Sequence, residues 1–123
     1  MSSEHFSEEE ISCRCCGQGA DVVSPRLLDL LEQLRANTGG LPIHVSCVYR
    51  CPSHNAEVGG VPNSQHVLGT AADVLRPDHL SMGEFKWYVE QLPFDGIGVY
   101  WDSEFIHVDV RDGGVSAGYS WEG

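Results

Sequence analysis

The run Ser64-Gln65-His66-Val67-Leu68-Gly69-Thr70-Ala71-Ala72-Asp73, followed later by Phe105-Ile106-His107-Val108-Asp109, decides how this chain is read. Gly69 and the small residues after it let the backbone turn sharply after His66 and re-enter as a strand at Asp73. Both side chains can then face one point. The alternation of apolar and polar residues over 104–110 predicts a second strand, with His107 and Asp109 on one face. Two imidazoles and a carboxylate suit a divalent zinc ion that keeps a fourth position for water, the arrangement of a hydrolytic site. The spacing is looser than a helical H-E-x-x-H pattern. The same three residues also fit a loop cap, a turn cap and a half-buried strand histidine.

Working outward, the elements around these motifs can be placed from local signals. Ser7-Glu8-Glu9-Glu10 has the form of a capping box and predicts a short helical turn ahead of the cysteines. Ser24-Pro25 reads as an N-cap and first helical residue, Leu27, Leu31 and Leu34 form one stripe, and Gly39-Gly40 stops the helix. A strand is expected over 43–49, a short helix over 52–58 and a strand over 71–75. Ser81-Met82-Gly83-Glu84 is a second capping box, opening a helix with Met82, Phe85, Val89 and Leu92 on its buried side before Pro93. Residues 96–100 and 105–110 then pair as a hairpin across Trp101-Asp102-Ser103-Glu104. Strands mixed with helices, without regular βαβ alternation, predict an α+β fold: a small antiparallel sheet with helices packed on one face.

Composition bounds the rest. A chain of 123 residues, 41% hydrophobic, with no internal repeat or long linker, predicts a single domain over 1–123, the cysteine-containing segment 1–23 packing on it. A net charge of −11 excludes a phosphate-tracking nucleic-acid binder, whose affinity would come from Lys and Arg. No run approaches the ~20 apolar residues of a membrane span. The polar start Met1-Ser2-Ser3-Glu4-His5 lacks the features of a secretory signal, so the expected location is cytoplasmic as synthesised. A monomer is the expected state.

Every fixed position of S-x-H-x-x-G-x-A-x-D is met by Ser64, His66, Gly69, Ala71 and Asp73, and an H-x-D follows at His107. On these motifs the chain resembles the zinc D-alanyl-D-alanine carboxypeptidases and endopeptidases that trim bacterial cell-wall peptides, the LAS-type metallopeptidases of Hedgehog-like zinc fold. Ser46-Cys47-Val48-Tyr49-Arg50 is similar to the family's S-G-Y-R segment, with Cys47 and Val48 where Gly and a small or apolar residue are expected. Cys51-Pro52-Ser53-His54-Asn55, Val58-Gly59-Gly60 and His107-Val108-Asp109-Val110-Arg111 continue the likeness, which spans 46–111. The resemblance implies a small antiparallel sheet cradling one zinc ion on His66, Asp73 and His107. It implies a peptidoglycan stem peptide as substrate and a D-Ala-D-Ala carboxypeptidase type of activity. An endolysin-type L-Ala-D-Glu or cross-bridge endopeptidase is the alternative. A non-catalytic zinc-stabilised binding or phage structural module is the alternative of another class, separated from the enzyme by whether a protein ligand or a water fills the fourth position.

Roles for further residues follow from chemical need. A base must take and return a proton. Glu104, three residues before His107, stands where the resembling dipeptidases carry the glutamate of E-x-x-H, and Asp109 competes because it shares a strand face with His107. Each also fits a plainer part, Glu104 as a solvated turn carboxylate and Asp109 as a partner orienting a ligand or pairing Arg111. Arg50 can grip a terminal carboxylate with two parallel hydrogen bonds, or form a structural ion pair. Ser64 either hydrogen-bonds at the site or shapes its loop. Tyr49, Tyr100 and Trp101 fit a cleft lining or the core. His5, His44, His54 and His79 have no motif partners. The five cysteines, three of them in Cys13-Arg14-Cys15-Cys16 and the others Cys47 and Cys51, fit a reduced structural cluster better than disulfides or a second, cysteine-bound ion.

Overall fold

In a computed structural model the described residues are 5–7, 11–13, 17, 19, 22–51, 56, 66, 68–110 and 119–122. The expected helix over 52–58, apart from residue 56, and Ser64, His54, Arg111, Cys15 and Cys16 lie outside them.

Of the helices whose span is described, the first, α1 (Pro25–Asn37), begins where its cap predicts: the Ser24 side chain accepts from the Leu27 N–H, and proline follows the cap. Its buried face comprises Leu27, Leu28, Leu30, Leu31 and Leu34, broader than the expected stripe of three. Burying leucines of this kind contributes roughly 1.5–3 kcal/mol each, which outweighs any intrinsic propensity difference along the helix. Strands β1 (Val45–Cys47) and β2 (Ala71–Leu75) come next. The second helix, α2 (Met82–Glu90), carries the full reciprocal capping box, Ser81 and Glu84 each satisfying the other's backbone N–H. The hairpin β3 (Gly96–Tyr100) and β4 (Phe105–Asp109) and a last strand, β5 (Tyr119–Glu122), complete the order.

The five strands form one sheet in the order β1-β2-β4-β3-β5. The first three pairings are antiparallel, as expected, whereas β5 adds to β3 in parallel. Strand β1 is shorter than the expected 43–49. Its chain leaves the ladder because the N–H of Tyr49 donates to Ile11 O (3.1 Å) and that of Arg50 to His66 O (3.1 Å). Strand alternation then separates two faces. Ala72, Val74, Val99, Ile106 and Val108 point into the core with the leucines of α1 and with Phe85 and Val89 of α2. Residues 71, 73, 105, 107 and 109 point the other way.

Candidate metal centre

The register of the sheet lines up one transverse row: Cys47 on β1 opposite Asp73 on β2, Asp73 opposite His107 on β4, and His107 opposite Gly98 on β3. Side chains directly opposite across antiparallel strands stand close together on one face. Three potential donors therefore meet without help from any loop. The fourth, His66, comes from the turn before β2, and Gly69 makes that turn possible. Its φ is +74°, and a Cβ there would run into the Val22 carbonyl. The turn is fastened by Gly69 N–H to His66 O (3.2 Å) and Ser24 N–H to Gly69 O (2.8 Å), which ties it to the start of α1.

Within the cluster, both imidazoles converge on one oxygen. His66 Nε2 lies 3.3 Å and His107 Nδ1 3.1 Å from Asp73 Oδ1. The two rings stand edge to face, 5.3 Å between centroids. Each ring is also held by its other nitrogen: His66 Nδ1 donates to Val48 O (2.8 Å), and His107 Nε2 donates to Asp109 Oδ2 (2.9 Å). Ligand histidines are commonly fixed in this way, by a carbonyl or carboxylate that sets ring orientation and tautomer. Asp109 is fully buried, and its carboxylate occupies the space where a side chain on Gly96 would stand. A strand glycine therefore admits the group that steers His107.

Electrostatics bind the group as a unit. Burial disfavours the charged form of His66, yet hydrogen bonds to Asp73 and Cys47 and the Asp73 charge outweigh it and raise its pKa to about 10. His107 is raised likewise: burial opposes the shift, and the hydrogen bonds to Asp109 and Asp73 prevail. Asp73 is held well below the usual carboxylate range, because its bonds to both imidazoles overcome its burial. For Cys47, burial raises the thiol but the hydrogen bonds and positive charge of His66 and Arg50 lower it further, so the net shift is downward. That interaction sets the Arg50 side chain at the border of the cluster. Two buried imidazoles on one carboxylate oxygen, each outer nitrogen already engaged, are donor types of a divalent metal site, with His107 joined to the most compact group through Asp73 Oδ1. Cys47, His66 and Asp73 each place a donor atom within 4.8 Å of the others.

Glu104 occupies the hairpin turn, with φ of +55°, and the face argument for regular strands does not apply to it. Its carboxylate accepts from Arg76 Nε at 3.1 Å and is 58% exposed. Tyr100 stacks on Phe105 (4.5 Å) and Trp101 is exposed at the turn. His5 pairs with Glu32, and His79 bonds Thr38 O. Cys13, Cys47 and Cys51 stand as thiols, and the Cys51 N–H donates to Cys13 Sγ at 3.3 Å.

Comparisons with known proteins give the family. The family model described as Peptidase M15 matches residues 4–109. The chain belongs to the Peptidase M15 family. The matched stretch contains His66, Asp73, His107, Arg50, Glu104 and Asp109. The chain is also similar to the probable peptidoglycan L,D-endopeptidase MepK of Haemophilus influenzae, 34% identical over 95 residues. That alignment covers 72% of this chain and 50% of the relative, so the chain spans about half the length of the curated relative it matches. Among the described residues no helix is long and apolar enough to cross a membrane.

Two parts of this cluster carry no signal in the sequence. One is the position of Cys47 opposite Asp73, which depends on strand register and has no signature within either segment. The other is the Val48 carbonyl that holds His66, a backbone group that no side-chain motif can announce.

Proposed function

We propose that this chain is a zinc-dependent peptidase acting on peptidoglycan stem peptides, with His66, Asp73 and His107 as the metal-holding residues. The convergence of both imidazoles on Asp73 Oδ1 carries the reading. Zinc bound there supplies Lewis acidity, activating water near neutral pH and polarising the scissile carbonyl. The protein's own groups do the remaining work. Val48 O and Asp109 orient the two histidines. Glu104, in the turn ahead of β4, is the proposed proton carrier, and its pairing with Arg76 sets the starting position of the carboxylate. Asp109, already engaged by His107, is the alternative carrier. Arg50, which interacts with Cys47, is the proposed binder of a peptide carboxylate through its planar fork of donors. Ser64 is proposed to hydrogen-bond at the same site.

The name of the Haemophilus relative favours the endopeptidase alternative over removal of a terminal D-alanine. Mass spectrometry of muropeptides incubated with zinc-loaded protein, against a chelator-treated control, tests this. Internal cleavage only in the presence of metal is the expected outcome. Loss of terminal alanine alone would restore the carboxypeptidase reading, and no cleavage by folded, zinc-loaded protein would favour a binding module.

A further inference from the structure

Cys47 is the one donor in the transverse row that the proposed ligand set leaves unused. It is the strand partner of Asp73, its Sγ lies 3.5 Å from His66 Nδ1, and it belongs with His66 and Asp73 to a group whose donor atoms all fall within 4.8 Å of one another. Neighbouring donors around a tetrahedral zinc ion bound at roughly 2.0–2.3 Å stand about 3.3–3.8 Å apart. The 3.5 Å contact is to the His66 nitrogen that bonds Val48 O, so the place of the thiol beside the proposed ion rests on its strand position opposite Asp73 and on the 4.8 Å grouping of donor atoms. The thiolate is also the softest donor in the cluster and of a kind that zinc binds.

We propose that Cys47 is a fourth protein ligand of the metal, competing with water for the last position, so that the resting site is closed by a thiolate. This rests on the zinc-peptidase reading above and differs from the permanently closed site of a binding module, because the sulfur yields its position to water. A site with three ligands from the protein binds water at once, whereas a site closed by Cys47 does so only when the sulfur gives way. The cysteine then sets how much of the metal-loaded protein is ready to react.

Cobalt(II) substitution of the full chain tests this without recourse to activity. The visible d–d spectrum reports that the site holds the ion, and a near-ultraviolet thiolate-to-cobalt charge-transfer band reports sulfur ligation. Wild-type protein is expected to show both. Cys47→Ser should keep the d–d spectrum, lose the charge-transfer band and bind the metal at least ~10-fold more weakly, as loss of even an outer partner costs roughly 10- to 100-fold. Cys51→Ser should keep both features. A d–d spectrum with no charge-transfer band in the wild type would overturn the role of Cys47 and leave the His-Asp-His site standing, as would a band that survives Cys47→Ser. Absence of any d–d spectrum would overturn both.

Discussion

Two carboxylates flank His107 in sequence, and the proposed reading gives them different tasks. Asp109 is enclosed and already spent on His107 Nε2, while Glu104 is half-exposed in a turn with a guanidinium for a partner. Asp109→Asn should therefore weaken metal binding by about 10- to 100-fold, since the ring loses its charged acceptor. Glu104→Gln should leave metal binding intact and lower turnover by roughly 10²–10⁴-fold, the usual contribution of a positioned acid or base. Metal titration and turnover measured on the same two preparations separate these effects. If Asp109→Asn keeps full metal affinity and loses turnover instead, the roles are exchanged. The two residues look equivalent in the sequence, as candidate bases on either side of a ligand. What distinguishes them is Gly96, on a different strand, which makes room for one of them.

The elements show why some of the design was legible and some was not. Helices α1 and α2 and the β3–β4 hairpin start and stop on local chemistry, at Ser24-Pro25, at the Ser81–Glu84 box and at the turn over 101–104, and all were placed correctly. Strand β5 and the true extent of β1 were not. Their limits are decided by distant partners, Gly96 to Val99 for the first and Ile11 and His66 for the second. The His66 turn lies between these cases, because glycine advertises the conformation while the Val22 carbonyl that forbids anything larger lies far away in sequence. Gly69→Ala is expected to destabilise the fold by about 1–3 kcal/mol from its backbone conformation alone. The same change should loosen metal binding, because the strained turn carries His66. Denaturant unfolding and metal titration would show both losses, and a stable variant with full affinity would contradict the fixed turn. Arg50 illustrates a further limit, since it follows the point where β1 leaves the ladder, two residues earlier than expected.

For the whole molecule, the metal and the protons compete for the same atoms. With no metal bound, His66 and His107 have raised pKa values, so their contribution to stability is complete below the ordinary imidazole value of 6.5. That contribution is lost as pH rises, for His66 through about 10. Asp73 is depressed, so its contribution is present above its ordinary 3.8 and is lost only as pH falls further. Zinc must displace the imidazole protons, which makes its affinity rise with pH. Excess zinc should accordingly raise Tm, by the equivalent of about 2.7 kcal/mol at a hundred times its Kd, and one fixed zinc concentration should give a smaller increment at about pH 6 than at about pH 8. Calorimetry at both pH values with and without metal checks this, and an increment that grows toward acid would remove the histidines from the ligand set. The division of the sheet into a core face and a polar face has an evolutionary reading. Because neighbouring strand positions answer to separate demands, a descendant could exchange Cys47, abandon the metal or take up another substrate while every residue that folds the chain stayed as it is. Chemistry and foldability are thereby carried by alternate positions of the same strands, and they meet in the His66 turn, where one glycine serves both.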